Sequence, residues 1–243
     1  LKDSTVQNHL VLGGTFTQIG STARSRLARL LPFGAIHTAW PEATGGDVRT
    51  VAIQPGDTTL VGGSFTALGG AARSGLGRVL ATGALDTAYA PALDGPVNAI
   101  AALPDGRALI GGSFTTAGGV AHANLALVNA DGTVDAAFVT STDGEVSAIA
   151  QQADGKVYVA GSFTTIGGVA RNGLARLSTD GTVDTSFDAA LDGAALAVIV
   201  QVDGKVLIGG DFLNVGSTAH ARLARVDATG ALDATFTATA GGS

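Results

Sequence analysis

The 243-residue chain contains no cysteine and no methionine. Without cysteine there is no disulfide framework and no thiolate chemistry, which suits the cell exterior without requiring it. A chain that lacks methionine even at position 1 reads as a processed product or an internal segment, its signal peptide already removed. Charge is also scarce, at 14% of residues with a net charge of −6. No basic stripe exists, so electrostatic binding to nucleic acid or to anionic lipid is not expected. No apolar run approaches the ~18–20 residues of a membrane span. The longest, around residues 194–202, has the length of a strand. What is abundant is apolar content, at 46%, which excludes disorder, and glycine, at 36 residues without a Gly-X-Y period, which excludes collagen.

An internal repeat dominates the rest. The string Gly-Gly-Ser/Thr-Phe, or a close variant of it, recurs with Phe16, Phe65, Phe114, Phe163 and Phe212, each 49 residues from the next. Four further columns keep the same step: Ala23 to Ala219, Leu27 to Leu223, Gly34 to Gly230, and the aromatic series Trp40, Tyr89, Phe138, Phe187 and Phe236. The units run approximately over 1–46, 47–95, 96–144, 145–193 and 194–243 of one domain covering 1–243.

Each unit reads as four short strands. In the third they are expected at residues 97–103, 108–114, 124–129 and 134–139, with a Gly-rich loop at 115–123. Pro104-Asp105-Gly106 and Asp131-Gly132 supply hairpin turns, because Asp-Gly accepts positive φ. The apolar period is close to 2 and never sustains 3.6, so helices are not expected. Four antiparallel strands in a repeat of this length are the mark of a propeller blade. The expected fold is therefore all-β, a five-bladed β-propeller of four-stranded antiparallel blades. Small residues such as Ala99 and Ala101 suit the first strand, which crowds against its neighbours near the axis. Residues 1–3, Leu-Lys-Asp, make a poor first strand for unit one. Either a ring tolerates that gap, or the chain is a segment of a longer array; the ring of five is the favoured reading.

Residues 203–212, Asp-Gly-Lys-Val-Leu-Ile-Gly-Gly-Asp-Phe, resemble the delta-60 repeat, an uncharacterised bacterial propeller repeat, as do residues 154–163 with 174–177 and 180–187 after them. The resemblance covers all five units. It implies large secreted or surface-attached bacterial proteins and no defined activity. The chain departs from the pattern at His37, where other units have aspartate, at Pro55-Gly56-Asp57, and at Leu127, where other units have Arg29, Arg78, Arg176 and Arg225.

Candidate chemistry is sparse. The column Arg24, Arg73, His122, Arg171 and His220 lies in the loop between second and third strands. Asp47, Asp94, Asp143, Glu145 and Asp192 come to the same face. A weak ligand-binding ring for an anionic or polyhydroxyl ligand is one reading of the basic column; salt bridges or carbonyl bonds between blades are the favoured one. Asp86, Asp135, Asp184 and Asp233 suit turn capping or arginine pairing better than metal binding, since one per blade keeps them apart. The four histidines have no metal-ligand spacing, no Gly-x-Ser-x-Gly elbow occurs, and no helix follows the Gly-Gly strings to cradle phosphate. Polar positions on the inner strands are Arg49, Asn98 and Ser147, with Leu196 in the fourth; no carboxylate pair of a glycosidase is expected there.

The sequence thus predicts a non-enzymatic, extracellular or cell-surface bacterial module for structure, adhesion or assembly, without catalytic residues, cofactor or metal. Its partners would be itself, other surface-protein domains or glycans, with no nucleic acid and no membrane insertion. A multivalent, lectin-like carbohydrate-binding propeller is the alternative.

Overall fold

The computed structural model describes residues 9–241. The chain is all-β apart from one 3₁₀ turn at Pro32–Gly34, and among the described residues no helix is long and apolar enough to cross a membrane. Each unit centres on an antiparallel sheet. Its inner strands are Val48–Gln54, Val97–Ala102, Val146–Gln151 and Ala195–Val200 in units two to five. The middle strands, Thr58–Gly63, Ala108–Gly112, Val157–Gly161 and Val206–Gly210, pair with them and with the third strands Leu76–Val79, Leu125–Val128, Leu174–Leu177 and Leu223–Val226. In unit one Leu10–Gly13 pairs with Leu27–Leu30; the poor first strand expected at residues 1–3 lies outside the described residues.

The expected fourth strand is reduced to a single bridge, as between Val128 and Val134, so units two to five have three full strands each and not four. The chain turns away from the ladder at this point in every unit, in unit one with His37 in place of the aspartate. Asp135 bonds to Leu127 through its backbone N–H at 2.8 Å, and its carboxylate then accepts the Ala137 N–H at 2.9 Å. This local turn ends the pairing and aims the following aromatic residue into the next boundary. The Gly-rich loop, in contrast, holds a strand pair that was not expected. Thr116–Ala117 and Val120–Ala121 form a two-residue hairpin, turned by Gly118 and Gly119 at φ of 61° and 78°. Bridges such as Leu93 to Ala117 fasten this hairpin to the preceding unit.

Every inner strand in units two to five shifts register by one residue near its start, skipping Arg49, Asn98, Ser147 or Leu196. This bulge explains the second glycine of the Gly-Gly motif. A Cβ on Gly112 would stand 2.0 Å from the Pro96 carbonyl oxygen. Glycine is there because the bulged backbone occupies the space of a side chain.

The core lies between units, and its composition repeats. Leu60, Leu76 and Tyr89 of unit two are buried against Val97, Ile110, Phe114 and Val128 of unit three. Leu109, Leu125 and Phe138 meet Val146, Val159, Phe163 and Leu177 in the same way, and Tyr158, Leu174 and Phe187 meet Ala195, Ile208, Phe212 and Val226. Each boundary thus joins a donor set to an acceptor set. Complete burial of one such Phe or Leu is worth roughly 1.5–3 kcal/mol. At the two ends the sets are uncovered. Leu207, Leu223 and Phe236 of unit five are only partly buried, and Ile199 is 61% exposed. In unit one Leu12, Phe16 and Leu30 are partly buried and Leu10 is 56% exposed. Closure of five blades into a ring would cover these faces; here they are open.

Candidate functional site

The basic column proposed as a ligand ring is committed to backbone carbonyls of its own units. Buried Arg24 donates to the carbonyls of Leu27 at 3.0 Å and Pro41 at 3.1 Å, and to that of Trp40. Burial pulls its guanidinium below the usual arginine range, against the raising effect of Glu42. Arg73 donates to the Thr87 carbonyl at 2.9 Å and Arg171 to the Phe187 carbonyl at 3.0 Å. The ring nitrogens of His220 lie 2.8 and 3.0 Å from the carbonyls of Leu223 and Phe236, and His122 is buried. Outside unit three, where the buried His122 Nε2 has no hydrogen-bond partner, the column therefore ties the loop hairpin of each unit to the turn that carries its aromatic residue.

The face aspartates hold the joints between units. Asp94 accepts the N–H groups of Thr115 at 2.8 Å and Thr116 at 2.9 Å, besides the Thr115 hydroxyl. The Thr115 hydroxyl and the Thr116 amide bring its pKa down to about 2. Asp143 does the same with Thr164 and Thr165, whose hydroxyl and amide hold it well below the usual carboxylate range. Asp192 binds Leu213 and Asn214.

A second polar layer joins the third strand to the aromatic column. Arg78 gives Asp86 bonds of 2.9 and 2.6 Å and stacks 4.3 Å from the Tyr89 ring centre. Arg176 bonds Asp184 at 2.9 Å and lies over Phe187. The Lys156 and Lys205 ammonium groups, at 2.8 and 2.7 Å, are the main reason why Asp184 and Asp233 stay ionised far below the ordinary range. In unit one the two departures compensate. His37 replaces the aspartate, and Arg29 pairs at 2.9 Å with Asp57 from the altered turn of unit two.

The bulge residues were noted in the sequence only as polar inner positions, and the structure connects them. Arg49 donates to the Asn98 side chain at 2.6 Å, and Asn98 donates to Glu145 at 2.6 Å. A carboxylate therefore does reach the inner face, brought by a residue that the sequence reading had placed in a loop. Bulges re-aim side chains in this way. No group of three or more His, Asp or Glu that could hold a metal occurs among the described residues.

Residues 8–36, 103–138, 152–187 and 201–236, more than half of the chain, match the family described as a domain of unknown function (DUF5122) beta-propeller. The chain belongs to this family. The unmatched stretch 37–102 contains both His37 and the altered turn. No curated protein matches the DUF5122 chain. Among solved structures, virginiamycin B lyase from Staphylococcus aureus is 12% identical with a TM-score of 0.56, the match covering 93% of this chain and 72% of the lyase. A Bacteroides caccae protein of unknown function is 19% identical with a TM-score of 0.47, over 91% and 73% of the two chains. A putative gluconolactonase is 15% identical with a TM-score of 0.46, over 88% and 69%. The lyase likeness shows a propeller-like fold and nothing about chemistry. Because that fold also carries an enzyme, fold alone gives no argument against catalysis in this chain.

Proposed function

We propose that this DUF5122 propeller is a non-enzymatic assembly module whose open end faces are covered by a further unit of the same kind, which a second copy docked head to tail can supply. The observation that carries the proposal is the pair of uncovered end faces. Leu207, Leu223 and Phe236 repeat the donor set that is buried at the internal boundaries, with Ile199 beside them at the position of Ala52, Ala101 and Ala150; Leu12, Phe16 and Leu30 repeat the acceptor set, with Leu10 at the position of Ala108, Val157 and Val206. A second copy would continue an interface that the chain already makes within itself. Because the faces differ, the contact is heterologous and leads to open arrays or large rings. The delta-60 resemblance supports an extracellular or cell-surface setting for the same module. Labelling by antibody on intact cells tests that setting; signal only after lysis would contradict it.

Sedimentation velocity tests the docking. The wild type should self-associate as concentration rises. Ile199→Lys blocks the donor face and Leu10→Lys the acceptor face, both at exposed positions, so each variant alone should stay monomeric. Mixed together they should form a one-to-one dimer. A wild type that remains monomeric at every concentration would overturn the proposal.

The chain Arg49, Asn98, Glu145 favours a second reading, the carbohydrate-binding propeller. These exposed polar groups offer donors and an acceptor to a polyhydroxyl ligand. Saturable glycan binding that is lost in Asn98→Ala would promote it.

A further inference from the structure

Four units carry arginine at one position of the third strand, and unit three carries Leu127 there. Beside Leu127, at the boundary between units three and four, is a half-open cavity of about 270 Å³. An engineered apolar cavity of ~150 Å³ is large enough to take up benzene. Leu109, Leu127, Phe138 and Leu177 form apolar walls, and Asp135 and Thr179 contribute polar atoms.

The groups that hold the arginine elsewhere are still present. Arg78 stacks on Tyr89, bonds Asp86, and donates to the Ala130 carbonyl of the next unit at 2.7 Å. Arg176 repeats the set with Phe187, Asp184 and the Ala228 carbonyl at 2.8 Å. The corresponding residues around Leu127 are Phe138, Asp135 and Thr179, all on the cavity wall. Asp135 holds its second cation more loosely than its counterparts, and that cation, Arg107, lies on the cavity wall. Arg107 stands where Lys156 and Lys205 bond Asp184 and Asp233, yet it bonds Asp105 at 2.7 Å and leaves its Nη1 3.8 Å from Asp135, beyond hydrogen-bond reach.

We propose that this cavity is a binding site for an alkylguanidinium group, supplied by a small molecule or by the arginine side chain of a peptide. A guanidinium is planar, stacks on aromatic faces and offers its donors as a fork. The aromatic ring, carboxylate and carbonyl match those three properties, and the apolar walls take the alkyl stem. A primary ammonium would keep the charge and lose the stacking and the fork.

The test is an amide NMR titration of the whole chain with n-propylguanidinium. Saturable shifts are expected at Ala137, Thr179 and Asp180, with the weak affinity usual for so small a probe. Propylammonium should bind about ten-fold more weakly, and Asp135→Asn should weaken the guanidinium by about ten-fold or more. Leu127→Arg should fill the cavity with its own guanidinium and abolish the shifts. Tighter binding of N-acetyl-arginine-methylamide than of propylguanidinium would identify a peptide source, and equal or weaker binding a small-molecule source. Absence of saturable shifts, or their survival in Leu127→Arg, would overturn the proposal.

Discussion

If the boundary between units is a volume match, exchanging its partners together should cost far less than exchanging them singly. Gly111 faces Val146 across the boundary of units three and four, and an added Cβ would stand 2.3 Å from Val146 Cγ1. One unit further on, the same two positions are Ala160 and Ala195, both buried in one cluster. Large against small has become medium against medium. Gly111→Ala alone overpacks the site, at a cost of about 1–3 kcal/mol, partly offset by about 0.5–1 kcal/mol from a stiffer unfolded chain. Val146→Ala alone removes two fully buried methyl groups, worth roughly 2–3 kcal/mol with the cavity left behind. Their sum is about 4 kcal/mol. The double variant recreates the natural Ala–Ala pair and should lose only about 1–2 kcal/mol, a coupling of roughly 2–3 kcal/mol. Urea unfolding followed by circular dichroism measures all four corners of the cycle. Additivity within about 0.5 kcal/mol would refute the volume match. Two controls sharpen the test. At Gly62 the added Cβ also meets Thr50 Cγ2 at 2.6 Å, so Val97→Ala should rescue Gly62→Ala only in part. At Gly209 the nearest atom is Ala197 Cβ at 3.8 Å, so Gly209→Ala should be tolerated.

Two further outcomes follow from the polar layers. Arg176→Leu copies the natural Leu127 into unit four and strips partners from Asp184, the Tyr158 hydroxyl and the Ala228 carbonyl; Lys156 still holds Asp184, so a loss of about 2–3 kcal/mol is expected in urea unfolding. The lowered Asp94, Asp143 and Asp192 stabilise the folded chain above the ordinary aspartate value of about 4, and that stability is lost as pH falls through their folded values, about 2 for Asp94. Thermal melting should therefore be level from pH 7 to about 5 as far as these groups act and decline below about 4, and Asp94→Asn, Asp143→Asn and Asp192→Asn combined should flatten the decline.

Much of the architecture was legible because the repeat displays it five times. The short apolar run at residues 108–112 and the Asp-Gly turns gave the strands, and the two aromatic columns gave the boundaries. The fourth strand misled because residues 134–139 have strand-like composition, while the backbone turns from Asp135 to Phe138, a turn that composition does not register and that the Asp135 carboxylate only reinforces. The loop hairpin did have a signal, Gly118-Gly119 between Ala117 and Val120, which is hairpin chemistry set among short apolar residues. The bulge had none, because a one-residue register shift appears only once both strands are paired. The basic column was legible as a column and not as a role: a cation in a loop serves a ligand or a carbonyl equally well until its distances are known. The cavity beside Leu127 was marked by its missing arginine, yet the sequence alone could not say that Phe138, Asp135 and Thr179 converge on the vacated space.

The same asymmetry links stability to assembly. A boundary that sets Leu60, Leu76 and Tyr89 against Val97, Ile110, Phe114 and Val128 has a different residue set on each side, so a unit cannot pair with itself face to face. Growth in one direction is the only way to cover a donor face, and it always exposes another. Within the chain this rule fixes the order of units two to five; at its ends it leaves Ile199 and Leu10 open. A propeller normally escapes by curving until the last face meets the first. On the proposed reading, a second copy covers these apolar groups where the curvature per unit does not close the arc. Mutations that lower stability at an internal boundary and mutations that block docking at an end should therefore act on equivalent positions of the repeat, such as Leu109 and Leu207.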